Sequence, residues 1–145
     1  MGDPGGRKIR AGVLTVSDGV SAGGRADASG PALAAEVERA FPGTRVERAL
    51  EPDEPERVAA RILQWCEAGF DLVLATGGTG VAPRDRTPEA VRSVVEFEVP
   101  GLAEKMRAET GAGFPPAYLS RSVAGVRGST LVAALPGSPR GAVDC

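Results

Sequence analysis

The feature that most constrains the fold is an apolar run that leads into a glycine-rich turn and then into a helix start. Residues 71–91 read DLVLATGGTGVAPRDRTPEAV. This order predicts a buried β-strand, a turn and an α-helix, which is the repeating unit of an open α/β sheet. The turn then lies at the carboxyl end of the strand, where such sheets bind ligands. Gly77, Gly78 and Gly80 carry no Cβ, so backbone N–H groups can approach an anion. A phosphate-bearing ligand is the first hypothesis.

The same turn has a simpler interpretation, because many α/β proteins use glycines only to connect a strand tightly to a helix. The neighbouring side chains favour a ligand site. Thr76 and Thr79 add hydroxyl groups, and Arg84 adds a cation. Asp85 could hold a metal ion. The segment matches neither G-x-x-x-x-G-K-[ST] nor the full G-x-G-x-x-G spacing, so a Walker site or a Rossmann dinucleotide site is disfavoured.

Alternating apolar and amphipathic segments along the chain predict the α/β class. Residues 9–17, 71–75 and 129–135 are dense in β-branched and aliphatic side chains, which predicts strands covered on both faces. Residues 44–50 are more mixed, and this predicts a strand nearer an edge of the sheet.

Capping residues mark the predicted helix starts. Ser29 is the expected N-cap of one helix, and Thr87, which a proline follows, is that of another. With Thr87 as the cap, Asp85 is not needed for that role. Asp53 with Glu56 three residues later resembles an N-terminal capping pair, which is a structural alternative for Asp53. The helix positions expected to face the core are Leu33, Val37, Phe41, Val58, Ile62, Trp65, Val91, Val94 and Val95.

The residue inventory limits the chemistry. The chain has no histidine, which removes Ser-His and Cys-His nucleophiles, histidine general bases and the usual zinc centres. Carboxylates, hydroxyls, arginines and backbone amides suit a reaction whose nucleophile is already ionised at neutral pH. Phosphate attacking phosphate is such a reaction. The 17 basic and 19 acidic residues are spread along the chain, so nucleic acid is not an expected partner.

The length of 145 residues suits a single domain. Residues 1–8 are expected to form a flexible tail and residues 9–145 the domain. The first eight residues lack the apolar stretch of a signal peptide, and no run approaches the roughly 18 apolar residues of a membrane span. We therefore expect a cytoplasmic protein without membrane contact. Cys66 and Cys145 form no C-x-x-C motif, and Cys66 is expected to pack in the core.

A series of motifs between about residue 9 and residue 141 carries a family resemblance. The motifs are VSDGVSAG, DASGP, EPDE, TGGTGVAPRDRTPEA, EVPGLAEKMR, LSRSVAGVRGSTL and LPGSPRG. With them the chain resembles the MogA/MoaB family of molybdenum cofactor biosynthesis proteins, which is related to the gephyrin G domain. The resemblance implies a Rossmann-like, three-layer α/β/α sandwich with a mostly parallel sheet, assembled as a homotrimer or a hexamer. It also implies adenylylation of molybdopterin with Mg-ATP: the terminal phosphate of molybdopterin attacks the α-phosphorus of ATP, and pyrophosphate leaves.

Carried onto this chain, the resemblance assigns catalysis and the Mg²⁺ ion to Asp53 and Asp85. It assigns contacts with molybdopterin or ATP to Ser17, Asp18, Thr76, Gly77, Gly78, Thr79, Gly80, Ser120, Arg121, Gly137 and Ser138. Three of these residues have simpler alternatives. Ser120 could cap a helix, Arg121 could form a surface ion pair, and Ser138 could be a turn serine.

The chain departs from the family pattern near its end. A further helix normally follows PGSP, whereas this chain ends at Cys145, so we expect a domain cut short. Either the sequence is a shortened one, or the protein lacks the closing helix, which would expose part of the core. Ser138 stands where some relatives carry an amide, so nucleotide contacts there need not be identical. An alternative function is a non-catalytic MoaB-type protein that binds molybdopterin or its precursor and hands it to the molybdate-inserting enzyme. A generic nucleotide-binding regulator is a third interpretation. The presence of both Asp53 and Asp85 favours the enzyme.

Overall fold

The computed structural model describes residues 7–145, so residues 1–6 of the predicted flexible tail lie outside the described part. The strands are β1 Arg10–Val16, β2 Arg45–Glu51, β3 Leu72–Thr76, β4 Phe97–Glu98, β5 Ala124–Arg127 and β6 Thr130–Leu135. The α-helices are α1 Asp18–Ser21, α2 Ser29–Ala40, α3 Pro55–Glu67, α4 Thr87–Val94, α5 Pro100–Gly113 and α6 Pro139–Asp144. A 3-10 helix, Pro115–Leu119, follows α5. Within residues 7–145, no helix is both long and apolar enough to cross a membrane.

The strands form one sheet in the order β2-β1-β3-β6-β5-β4. The first four strands in this order are parallel, while β5 and β4 run antiparallel to their neighbours. Val16 pairs with Glu51, Thr15 with Thr76, and Thr76 with Leu135. The carboxyl ends of the four parallel strands are therefore aligned, and the loops that follow them start from one edge of the sheet.

Alternate residues of the strands face two helical layers. Leu14 belongs to a buried cluster with Val58 and Ile62 of α3 and with Val91 of α4. Its neighbour Val13 belongs to a second cluster that includes residues of α2, α5 and α6. This confirms the predicted α/β/α sandwich with a mostly parallel sheet. The predicted edge position of the second strand is also confirmed, because β2 is the first strand in the sheet order.

Two predicted N-caps are wrong by one residue. Ser29 is already the first residue of α2, and the Asp27 carboxylate accepts the hydrogen bond from the Gly30 N–H at 3.0 Å. Thr87 is likewise the first residue of α4, with Arg86 in the N-cap position and no side-chain capping bond. Both predicted caps are buried, so their side chains face the interior instead of the exposed end of the helix.

The predicted helix faces are buried except near the helix ends. Phe41 is 46% exposed, because α2 ends at Ala40 and Phe41 takes a non-helical conformation. Val95 follows the last residue of α4 and is only partly buried, although it still packs against the core. Cys66 also packs against the core as predicted, and it is a free thiol.

Candidate active site

The glycine-rich turn passes through a space that admits no side chain. Gly77 has φ +108° and Gly78 has φ +67°, both in the left-handed region that favours glycine. A Cβ on Gly77 would overlap the carbonyl oxygen of Val16. A Cβ on Gly78 would overlap the Thr87 hydroxyl and would lie 3.2 Å from Oδ1 of Asp53. The turn is therefore wedged between the end of β1, the start of α4 and the loop that carries Asp53.

The floor of the site is built from the ends of two neighbouring strands. The Thr76 hydroxyl, which is fully buried, donates to the carbonyl oxygen of Pro136 at 2.7 Å. The Gly77 N–H donates to the Leu135 carbonyl oxygen at 3.0 Å. A Cβ on Gly137 would lie 3.2 Å from the Gly77 Cα. Thr76 and Gly77 thus fix the turn to the end of β6, and Gly137 packs against them.

The next three residues of the turn keep their amides unpaired. In the described part of the chain, no oxygen accepts a hydrogen bond from the N–H groups of Gly78, Thr79 or Gly80. All three residues line the crevice described below. Unpaired N–H groups in a turn form an anion-binding site, because their dipoles stabilise negative charge.

Two loops at the carboxyl edge are joined by reciprocal hydrogen bonds. The Asp18 N–H donates to Oδ2 of Asp53 at 2.9 Å, and the Asp53 N–H donates to Oδ1 of Asp18 at 3.0 Å. Ser17 caps α1, since its hydroxyl accepts a hydrogen bond from Val20 N–H at 3.3 Å. The capping alternative for Asp53 is wrong, because Glu54 occupies the N-cap position of α3 and no side chain caps this helix.

The electrostatic environments of the paired aspartates are opposite. Arg84 donates to both oxygens of Asp18, at 2.6 and 2.9 Å, and this hydrogen bonding holds the pKa of Asp18 below its ordinary value. Burial raises the pKa of Asp53, and the negative charges of Asp18 and Asp85 add to the increase. Asp18 is therefore neutralised by an arginine, whereas a cation beside Asp53 and Asp85 would stabilise their charges.

Asp85 lies beside the last glycine of the turn. Its Oδ2 accepts a hydrogen bond from Ala82 N–H at 2.9 Å and lies 2.7 Å from the position a Cβ would take on Gly80. It makes no capping bond to α4. The carboxylate of Asp53 lies against Gly78, and that of Asp85 lies against Gly80. The two acids thus flank the unpaired amides.

A crevice of about 1120 Å³ opens beside the turn. The predicted site residues that line it are Gly78, Thr79, Gly80, Asp85, Ser120, Gly137 and Ser138.

The opposite wall of the crevice was not predicted and comes from the end of α5, the 3-10 helix and α6. Phe114 and Leu119 on this wall are 63% and 61% exposed. Arg140 also lines the crevice, and its place within PGSPRG was the available signal. The sequence GAGFPPAY indicates a helix break but does not reveal a wall.

The remaining predicted residues divide between the crevice and its surroundings. The Ser120 hydroxyl bonds with the hydroxyl of Thr79 at 3.2 Å, and the Ser138 hydroxyl accepts a hydrogen bond from Gly141 N–H at 3.1 Å. Arg121 is not part of the crevice lining and pairs instead with Glu89. Their hydrogen bond holds the pKa of Glu89 below its ordinary value. Glu89 was not singled out from the sequence, although it lies only four residues after Asp85 along the chain.

Comparison with known proteins identifies relatives along nearly the whole chain. Residues 12–145 match the family model described as a probable molybdopterin binding domain. The chain is 40% identical over 134 residues to the molybdopterin adenylyltransferase of Haemophilus influenzae, covering 91% of this chain and 68% of that protein. It is 38% identical over 138 residues to the molybdenum cofactor synthesis protein cinnamon of Drosophila melanogaster. That match covers 94% of this chain and only 23% of cinnamon, and a match to Dictyostelium discoideum gephyrin covers 19% of that protein.

Solved structures share the fold. A structure of MogA has a TM-score of 0.88 and 36% identity, covering 93% of this chain and 88% of that chain. The molybdopterin biosynthesis enzyme MoaB of Thermus thermophilus has a TM-score of 0.81 and 46% identity, covering 94% of this chain and 86% of that chain. The glycine turn, its flanking aspartates and these relatives lead to one assignment: the chain belongs to the MogA/MoaB family of molybdenum cofactor biosynthesis proteins.

Proposed function

We propose that this protein is a molybdopterin adenylyltransferase, which transfers AMP from ATP to the terminal phosphate of molybdopterin and releases pyrophosphate. The observation that carries the proposal is the approach of Asp53 to Gly78 and of Asp85 to Gly80, in a turn with three unpaired N–H groups. Such a site can stabilise both a polyphosphate and the cation that accompanies it. Relatives that are 39% and 40% identical bear the name molybdopterin adenylyltransferase, which supports the same reaction.

The residues present fit a magnesium ion. Mg²⁺ is usually held by one or two carboxylates together with substrate phosphates and water, not by a cage of protein ligands. Residues 7–145 contain no cluster of three or more acidic or cysteine side chains suited to a metal ion, so a cage is not offered there. Asp53 and Asp85 would hold the ion, and its charge would lower the raised pKa of Asp53. When bound, the ion would neutralise charge that develops on the phosphates of ATP.

The protein groups in this proposal position and stabilise the reactants. The attacking phosphate is ionised at neutral pH, so a chain without histidine needs no general base for this step. The N–H groups of Gly78, Thr79 and Gly80 would bind phosphate oxygens. Phe114 and Leu119 offer exposed apolar surface across the crevice, where a flat ring of either substrate could pack.

The proposal is tested by incubating the purified protein with molybdopterin and Mg-ATP and quantifying adenylylated molybdopterin and pyrophosphate. Product from the wild type, with strong loss in Asp85→Ala, supports the transferase and the role of its acid. An active Asp85→Ala variant overturns the assignment of Asp85. The matched control is Glu104→Ala, because Glu104 is an exposed acid in the middle of α5 and outside the crevice lining.

A second candidate is a non-catalytic protein that binds molybdopterin or its precursor for transfer to the molybdate-inserting enzyme. The observation that favours it is the 46% identity to the MoaB of Thermus thermophilus, above the 36% identity to MogA. Tight molybdopterin binding without product in the same assay would select this function. We further propose a homotrimer or hexamer, which light scattering of the purified protein would test.

A further inference from the structure

Arg121 contacts the loop that carries Asp85 at both ends. Its Nε donates to the Gly80 carbonyl oxygen at 2.9 Å, and its Nη2 donates to the Asp85 carbonyl oxygen at 2.6 Å. The backbone N–H of Arg121 also donates to the Thr79 carbonyl oxygen at 2.7 Å. The guanidinium itself is held by Glu89 of α4, at 2.5 Å from Nη1 and 3.3 Å from Nη2. One side chain therefore ties together the turn, the far end of the loop and a helix.

These contacts use most of the donors that Arg121 has. A guanidinium carries five N–H groups, and the contacts with Glu89, Gly80 and Asp85 engage four of them. No two adjacent donors remain for a bidentate bond to phosphate. Arg121 also lies outside the lining of the large crevice. The family resemblance implied that Arg121 binds substrate directly. The geometry does not favour this role.

The loop depends on few other contacts. Val81, Ala82, Pro83 and Arg84 are all exposed. Within the loop, Ala82 and Asp85 bond to each other, since each backbone N–H donates to an oxygen of the other residue. Within residues 7–145, the loop also contacts the rest of the protein through the side chain of Arg84, which pairs with Asp18. Without Arg121, the segment between Gly80 and Asp85 would keep, within the described residues, only its internal hydrogen bonds and the pair of Arg84 with Asp18.

We propose that Arg121 and Glu89 form a clamp that fixes segment 80–85 and thereby directs the Asp85 carboxylate toward the crevice. Arg121 is then a positioning residue, which acts on the reaction through Asp85 and not by touching substrate. The kinetic part of this inference rests on the proposed adenylyltransferase function. The clamp itself does not, since it is a property of the protein without ligand.

The first experiment measures amide hydrogen exchange by NMR in the protein without substrates. In Arg121→Gln and Glu89→Gln, we expect the Ala82 and Asp85 amides to exchange roughly tenfold faster than in wild type, because the loop opens more often. Core amides should keep their wild-type rates. The matched control is Arg127→Gln, which also loses a bond from an arginine to a backbone carbonyl, that of Val94. Unchanged exchange at Ala82 and Asp85 in both clamp variants overturns the clamp.

The second experiment compares steady-state kinetics of wild type, Arg121→Gln and Arg121→Lys. We expect kcat to fall about 10–100-fold in Arg121→Gln, as for a displaced catalytic group, with little change in KM for molybdopterin or ATP. The concentration of Mg²⁺ for half-maximal activity should rise. Arg121→Lys should remain impaired, because one ammonium cannot hold two carbonyls and Glu89 together. Full activity of Arg121→Lys, or a raised KM with unchanged kcat, contradicts a positioning role.

A double variant separates action through Asp85 from an independent effect. If Arg121 works only through Asp85, adding Arg121→Gln to Asp85→Ala causes no further loss of activity. Losses that multiply contradict the inference. A wild-type protein that forms no product refutes the proposed function instead, and the exchange experiment still decides whether the clamp exists.

Discussion

The two walls of the crevice differ in how their groups are held. At the glycine turn, the carboxylates of Asp53 and Asp85 accept backbone hydrogen bonds and lie against glycines, and Asp85 itself lines this wall of the crevice. On the opposite wall, Phe114 and Leu119 are more than half exposed. The first wall has its charged groups in place before a ligand binds, whereas the second offers apolar area that only a ligand can bury. In the proposed reaction, the first wall serves the phosphates and the second serves the body of the substrate.

The difference follows from the position of each wall in the fold. The polar wall consists of the loops that leave the aligned ends of β3 and β6, so the sheet fixes their starting points. The apolar wall is formed by α5, the 3-10 helix and α6, which follow or flank the sheet. A rigid sheet edge suits groups that must meet reacting atoms within fractions of an ångström.

The largest expected effect tests the polar wall. Asp85→Asn keeps the shape of the side chain and removes its charge, so we expect kcat for adenylylation to fall at least about 100-fold, as when a transition-state stabilising group is lost. The unfolding midpoint should change little, because the amide oxygen can still accept from Ala82. Steady-state kinetics and thermal unfolding of the same sample check both statements. A variant with near wild-type kcat would mean that the polar wall does not carry the chemistry.

The next effect tests whether the glycine turn is as constrained as the carboxylates beside it. Gly77→Ala places a Cβ against the Val16 carbonyl at a φ of +108°, so we expect a loss of about 1–3 kcal/mol in the free energy of unfolding. Urea denaturation measures it. The control is Gly101→Ala in α5, where a Cβ meets nothing within 4 Å, and stability should stay equal or rise slightly. Equal stability of both variants would contradict the wedged turn.

A smaller effect tests the apolar wall. Phe114→Ala should weaken molybdopterin or ATP binding about 5–30-fold, corresponding to roughly 1–2 kcal/mol of lost apolar burial, while kcat is largely kept. Isothermal titration and kinetics separate the two quantities. Phe97→Ala is the matched control, because Phe97 is 57% exposed and lies on β4, outside the crevice lining. If both variants bind alike, the apolar wall does not contact the substrate.

The smallest expected effect concerns pH and stability. The pKa of Asp53 is raised in the folded protein, so the ionised carboxylate lowers the free energy of unfolding at neutral pH. This destabilisation disappears as the pH falls through that pKa, because Asp53 becomes protonated. Asp53→Asn should therefore unfold at a higher temperature than wild type at pH 7, with the gap closing in acid. Its amide oxygen can still accept from Asp18 N–H. Thermal unfolding across this pH range checks the sign, and a less stable variant at pH 7 contradicts it.

The local pattern of the sequence was enough to predict the strand, turn and helix of residues 71–91, because apolar periodicity and glycine requirements are local properties. Capping was misjudged at Ser29 and Thr87, since hydroxyl residues suit an exposed cap and a buried first turn alike. The apolar wall and the Arg121 clamp depend on where distant segments meet. Parallel strands are joined by long crossovers, so spacing along the chain does not indicate such contacts.

The most direct test of the division between the two walls is a crystal structure of the wild-type protein with Mg²⁺ and an ATP analogue whose α–β bridge is methylene. We predict phosphate oxygens at the N–H groups of Gly78, Thr79 and Gly80. We also predict a metal ion about 2.1 Å from a carboxylate oxygen of Asp53 or Asp85. A nucleotide bound away from the turn, or a metal ion that contacts neither aspartate, would contradict the account.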